Sequence, residues 1–167
     1  MKEMALDELV KKKMLEPLVK TVDVPCDQAT AFDVCINKMD SWWPLSIFTL
    51  SAMKGAPAEG IRVEPHPGGQ IVELGADAAE TLWGTIKEFD PNDYIAMDFH
   101  IPAPGHEEVG ERTLVEVRFT SLGDNSTRLE LTQSNWEALG DMAEMVHGGY
   151  GHGWTMILEG GYLASFG

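Results

Sequence analysis

Two stretches in the second half of the chain restrict its fold more than any other feature. Residues 112–121 (RTLVEVRFTS) and 127–136 (TRLELTQSNW) alternate apolar and polar side chains strictly, with Gly123-Asp124-Asn125 between them. A period of two belongs to strands with one buried face, and the short glycine-containing link makes the pair an antiparallel hairpin. Such a sheet must bury its apolar face against another element. The large apolar element left is the last 30 residues, where Met142, Met145, Val146, Tyr150, Trp154, Ile157, Leu158 and Leu163 fall at three- and four-residue steps. That spacing is helical. The helix is therefore expected to lie across the sheet, and a sheet curled around a helix tends to leave a hollow between them.

The rest of the chain supplies more strands. Residues 18–25 (LVKTVDVP) alternate as a half-buried strand. Asp27 is a good N-cap for a helix over 28–38, with Ala29, Phe32, Ile36 and Met39 as its buried stripe, and Asp40–Pro44 breaks that helix. Residues 46–53 read as a further helical turn. IRVEPH and QIVEL, split by Pro67-Gly68-Gly69, form a hairpin, and residues 80–89 and 94–101 are strands joined by Asp90-Pro91-Asn92-Asp93. Residues 102–111 make a longer Pro/Gly-rich loop. Gly148, Gly149, Gly151 and Gly153 each cost a helix roughly 0.5–1 kcal/mol relative to Ala, so the terminal segment is expected to run as a short helix, a bend and a longer helix. Residues 3–14 carry Met4, Leu6, Leu9, Val10 and Met14 at near-helical spacing. This amphipathic helix either covers a sheet edge or partner subunit, or is a frayed extension. The order predicts an α+β fold, with residues 1–16 as an N-terminal extension and 17–167 as one domain.

Three stretches carry a resemblance. They are Glu64-Pro65-His66-Pro67-Gly68-Gly69-Gln70, then Trp83-Gly84-Thr85-Ile86-Lys87-Glu88-Phe89-Asp90-Pro91, and Gly153-Trp154 followed by Leu158. In their order and spacing the chain, over about residues 17–165, resembles the SRPBCC (START, Bet v 1-like) superfamily. More narrowly it is similar to the homologues of the heat-shock ATPase activator. The resemblance implies a helix-grip fold: a curved antiparallel sheet of about six or seven strands wrapped around a long C-terminal helix, with an apolar cavity between them. It does not imply one activity, since members bind lipids, hormones or polyketides and some cyclise aromatic chains. The segments 1–14 and 148–153 lie outside the family pattern.

Charge removes some function classes. The 167 residues hold 12 Lys plus Arg against 27 Asp plus Glu, a formal charge of −15. Nucleic acid and anionic membranes would be repelled. Beyond residue 20 there are seven basic residues against 23 acidic ones, and none follows Arg128. The terminal segment's Glu137, Asp141, Glu144 and Glu159 are thus unopposed, as a docking face for a basic partner or as a solvated surface. Two cysteines, Cys26 and Cys35, cannot build a disulfide framework. With no apolar run long enough for a leader or membrane span, a cytoplasmic location is expected.

Catalytic motifs are absent. There is no HExxH, CxxC, P-loop, G-x-G-x-x-G or G-x-S-x-G. Glu144 and His147 share a helical face, but a spacing of three arises readily by chance, so no metal and no cofactor is expected. The inward faces of the strands offer cavity walls: Met97 and Phe99, Val115 and Val117, and Leu131 leading into Gln133 and Asn135. On 94–101 the opposite face holds Tyr94, Asp98 and His100. Gln133 and Asn135 mark either a cavity that turns polar at one end or a strand leaving the sheet. Trp83, Tyr150 and Trp154 add aromatic bulk. The expected partner is a small apolar or amphipathic molecule, with these residues as its contacts. The alternatives are a cyclase- or hydratase-like enzyme, and a co-chaperone-like interaction domain. The family's co-chaperone members carry an additional N-terminal domain, whereas this chain has only residues 1–16 there. A homodimer through residues 3–14 is expected.

Overall fold

The computed structural model describes residues 15–167, so the expected helix over 3–14 lies outside the described residues. Seven strands form one antiparallel sheet: β1 (Leu18–Val24), β2 (Gly60–Val63), β3 (Gln70–Leu74), β4 (Glu80–Asp90), β5 (Tyr94–Phe99), β6 (Thr113–Gly123) and β7 (Ser126–Ser134). Their spatial order is β1-β7-β6-β5-β4-β3-β2. The meander from β2 to β7 is thus consecutive, and β1 closes the far edge by pairing with β7, Leu18 opposite Gln133 and Val24 opposite Thr127.

Alternation decides the buried face. Val115, Val117 and Phe119 on β6 and Leu129 and Leu131 on β7 are buried, while Arg118, Arg128 and Glu130 are exposed. The sheet curves, and register shifts between Ile71 and Val72 and between Ile86 and Glu88 mark where its strands bend. Gly84 sits at the first of these, opposite Ile71. A Cβ there would lie 1.7 Å from the Asp98 carbonyl oxygen, so only glycine lets β4 and β5 approach as they do.

The helix α1 (Gln28–Asn37) starts where Asp27 accepts the Thr30 N–H at 2.8 Å. Its buried stripe is Ala31, Phe32, Cys35 and Ile36, and Ala29 faces solvent. Phe32 meets Phe89 and Phe119 edge-on. The chain kinks at Lys38 and adds one turn, α2 (Met39–Trp42), before Trp43 extends ahead of Pro44. A single turn, α3 (Leu50–Met53), follows.

The bend in the terminal segment lies upstream of the glycine cluster. Asn135 (φ 62°) precedes a 3₁₀ stretch, Trp136–Met142, and Gly140 (φ 60°) kinks that stretch from within. The helix α4 (Ala143–Thr155) then runs unbroken through Gly148, Gly149, Gly151 and Gly153. It widens into a π-helical stretch at Met156–Tyr162 and ends in a 3₁₀ turn. Packing outweighs glycine's helix cost here. Trp154, Ile157, Leu158 and Tyr162 are buried against the sheet and α1, and Tyr162 Oη donates to the Ala31 carbonyl at 2.7 Å. A Cβ on Gly161 would fall 2.6 Å from the Trp42 carbonyl oxygen, so this glycine permits the closest approach of the helix to α2. The architecture is a half-barrel sheet gripping a long terminal helix.

Candidate functional site

The space between sheet and helix is nearly full. Trp43 stands at its centre, 5.0 Å from Trp83, 6.0 Å from Trp154 and 6.5 Å from Phe99 between ring centres. What remains is an apolar cavity of about 30 Å³ walled by Met97, Phe99, Val115, Val117, Leu131 and Trp154 among others. That is about the volume of one water molecule, and a wall without polar groups holds such a space dry. The structure therefore brings six of the expected contact residues together, around a hollow too small for a drug-sized molecule.

The other four are placed differently. Trp83 is fully buried behind Trp43 and donates from Nε1 to Glu73 at 3.0 Å. Gln133, also fully buried, does not face a polar end of a cavity. Its Oε1 accepts from Trp154 Nε1 at 2.7 Å, and its Nε2 donates to Thr113 Oγ1 at 2.9 Å. Thr113 in turn donates to the Phe99 carbonyl, so one buried polar chain ties the terminal helix to β7, β6 and β5. Asn135 is exposed on its left-handed turn and donates to the Arg112 carbonyl, away from the cavity. Tyr150 faces a second, larger space.

That space is an open groove of about 360 Å³ along the side of α4. Ile47, Phe48 and Met53 form one wall, Met145, Gly149 and Gly153 the other, and His100, Ile101 and Tyr150 the floor. Ile47, Met53 and Met145 are 53%, 48% and 70% exposed, so the rim is apolar and open to water. Gly149 and Gly153 keep the helix side low: a Cβ on Gly149 would meet nothing within 4 Å. Strand periodicity had set His100 on the outward face of 94–101. The strand ends at Phe99, the chain turns, and His100 becomes 9% exposed.

The groove's polar groups are few. Tyr150 Oη accepts the Ile101 N–H at 2.8 Å and lies 3.2 Å from His100 Nδ1. Burial, with Arg112 nearby, pushes the His100 imidazole down to about 4, so it is neutral near pH 7. Burial holds the Tyr150 phenol well above its ordinary range. A more polar recess of about 190 Å³ adjoins the groove, shares His100 and Met142 with it, and carries His106, Glu108 and Glu111. Trp136 flanks the same corner, its ring 6.0 Å from Tyr150 and 4.7 Å from His147.

One buried acid escaped notice in the sequence. Glu73 is 1% exposed and accepts from the Leu50 and Ser51 N–H groups, Ser51 Oγ and Trp83 Nε1, at 2.5 to 3.0 Å. It clamps α3, and with it the Met53 wall of the groove, to the sheet. Its signal was a charged residue at an inward position in QIVEL. Glu144 is exposed and His147 Nε2 is 2.9 Å from the Glu16 carbonyl oxygen. Among the described residues no three His, Cys, Asp or Glu side chains gather as metal ligands.

Residues 37–160 match the family described as Activator of Hsp90 ATPase homolog 1-like protein. The chain belongs to that family. With it, this AHSA1-like chain falls in the SRPBCC (Bet v 1-like) superfamily. No curated protein matches it. Solved structures do. An anthrahydroquino-gamma-pyrone synthase, Txn09, is 29% identical, with a TM-score of 0.57 over 78% of this chain and 84% of its own. CalC, a self-sacrificing resistance protein from Micromonospora echinospora, is 21% identical, with a TM-score of 0.66 over 90% and 93%. The Aha1 dimer from Colwellia psychrerythraea is 13% identical, with a TM-score of 0.57 over 87% and 92%. The last two likenesses are of fold. Among the described residues no helix is long and apolar enough to cross a membrane.

Proposed function

We propose that this AHSA1-like chain binds a small apolar or amphipathic molecule, and that the open groove beside α4 is where it does so. The observation that carries the reading is the groove itself: about 360 Å³, apolar at its rim, with one part-buried polar pair at its floor. Ligand sites of drug-sized molecules have this size and composition. The 30 Å³ interior cavity, walled by Met97, Phe99, Val115, Val117 and Leu131 among others, then serves packing.

The test is binding of an anilinonaphthalene dye to the folded protein. One site per chain at micromolar dye is expected, and Gly149→Leu should abolish it by filling open space at the groove wall. Full dye binding by a folded Gly149→Leu protein would place the ligand elsewhere.

A second reading, a cyclase-like enzyme acting on such a molecule, is favoured by the groove's His100–Tyr150 pair and by the 29% identity to a synthase. Residues 17–167 would act as one cytoplasmic binding unit. The homodimer expected through residues 3–14 stays a proposal, supported by the dimeric Colwellia relative. Light scattering on the chain with and without residues 1–14 tests it.

A further inference from the structure

The hydrogen bonds at the groove floor determine where the imidazole proton sits. Tyr150 Oη already accepts the Ile101 N–H, and a phenol has one proton to give. Among the described residues His100 Nδ1, 3.2 Å away, is the acceptor within reach. A part-buried hydroxyl proton left without a protein acceptor is costly, so Nδ1 accepts. A neutral imidazole that accepts at Nδ1 carries its proton on Nε2. Nε2 has no partner among the described residues, and it is not one of the unpaired side-chain polar atoms sealed from solvent, which among those residues are Arg112 Nε and Trp136 Nε1. His100 borders both the groove and the adjoining recess, so this N–H opens into the space they share.

We infer that His100 Nε2–H is a fixed hydrogen-bond donor for the ligand, and that the groove selects apolar molecules bearing a neutral carbonyl oxygen. The inference rests on the groove reading above and deepens it. The apolar body lies against Met53, Met145 and Ile101, and the oxygen reaches the imidazole at the floor of the groove. Tyr150 acts as a positioning residue, because its hydroxyl holds the tautomer that makes Nε2 a donor. Glu108 and Glu111 line the recess behind His100 and outnumber the Arg112 guanidinium near it, so the local charge disfavours a carboxylate and leaves an uncharged acceptor. A ligand of the same shape without the oxygen would strip water from Nε2–H and offer nothing in return.

Fluorenone and fluorene form a matched pair of probes, since they share a fused three-ring body and differ by one carbonyl oxygen. Each is titrated into the full chain against bound anilinonaphthalene dye. Fluorenone is expected to displace dye roughly five- to tenfold more effectively, the scale of one well-placed hydrogen bond. In His100→Phe the ratio should fall to near one. Tyr150→Phe, which releases the tautomer, should lower the ratio too, and it serves if the His100 variant fails to fold. His100→Gln, which keeps both an acceptor and a donor, should restore part of it. Equal displacement by the two probes in the parent protein overturns the donor inference while leaving the groove as a binding site. So does an undiminished ratio in folded His100→Phe. If the parent binds neither dye nor probe, the groove reading falls and this inference with it.

Discussion

Replacing Trp154 with Phe tests whether the polar chain beneath the helix matters as much as the ring that starts it. The indole is buried between Trp43, Phe99 and Tyr150, and its Nε1–H is the donor to Gln133 Oε1, an atom with no access to water. Phe keeps an aromatic ring but removes that donor. Leaving a buried amide oxygen unpaired costs about 1–3 kcal/mol, and the lost ring volume adds about 1 kcal/mol or more. The expected loss is therefore about 2–4 kcal/mol, read from urea unfolding followed by circular dichroism. Trp154→Ala adds cavity formation, for a total of about 4–8 kcal/mol. Against a typical stability of about 5–15 kcal/mol, that variant sits near the limit of folding, so Phe is the better probe. The decisive comparison is the double variant Trp154→Phe/Gln133→Leu. With both partners apolar neither the indole N–H nor the amide oxygen is left orphaned, Thr113 Oγ1 still donates to the Phe99 carbonyl, and the loss should be about 1–2 kcal/mol smaller than the sum of the single losses. Additivity, or a Trp154→Phe protein as stable as the parent, would show that the buried chain does not hold helix to sheet.

Three more outcomes follow from the same structure. Glu73→Ala strips the acceptor from two backbone N–H groups and the Trp83 indole, and should cost at least about 3 kcal/mol by urea unfolding. Gly148→Ala meets open space and should stabilise by about 0.5–1 kcal/mol, whereas Gly161→Ala must push against the Trp42 carbonyl and should lower the melting temperature. For His100, the folded value of about 4 lies below the ordinary 6.5 because burial disfavours the charged form. The unfolded chain takes up a proton from about pH 6.5 downward and the folded chain only near 4. This contribution to stability is therefore complete above about pH 6.5 and is lost as pH falls toward 4. It amounts to at most about 3 kcal/mol, and about 2 after allowing for the solvent that reaches the imidazole edge. A pH series of unfolding curves for His100→Phe should lack that slope.

The strands were legible because alternation is local. Val115, Val117, Leu129 and Leu131 occupy the buried face that a period of two assigns them. Gln133 obeys the same period, but its partner Trp154 lies 21 residues further on, and no local pattern announces such a bond. Glycine count misplaced the bend. Sequence shows that a glycine weakens a helix but not whether tertiary contacts compensate, and the actual turn uses the positive φ of Asn135 and Gly140. The groove was illegible for a related reason. Its walls come from the 47–53 turn, the end of β5 and one side of α4, three pieces that no spacing rule joins. Tyr150 was anticipated as a contact residue, while His100 was misassigned because the strand ends one residue before it.

The clustering of indoles has an optical consequence. Trp42, Trp43, Trp83 and Trp154 form a continuous set, with neighbouring rings 5.0 to 6.0 Å apart. Excitation absorbed by one indole at such spacing passes readily to the others, so the native emission belongs to the group rather than to one ring. Tyr150 is stacked on Trp154 at 5.9 Å and forms part of the groove floor, so a molecule resting there lies one ring away from the indole set. A quinone or other electron-poor guest resting on Tyr150 would drain the whole set at once, and the chain would dim on binding without any attached label.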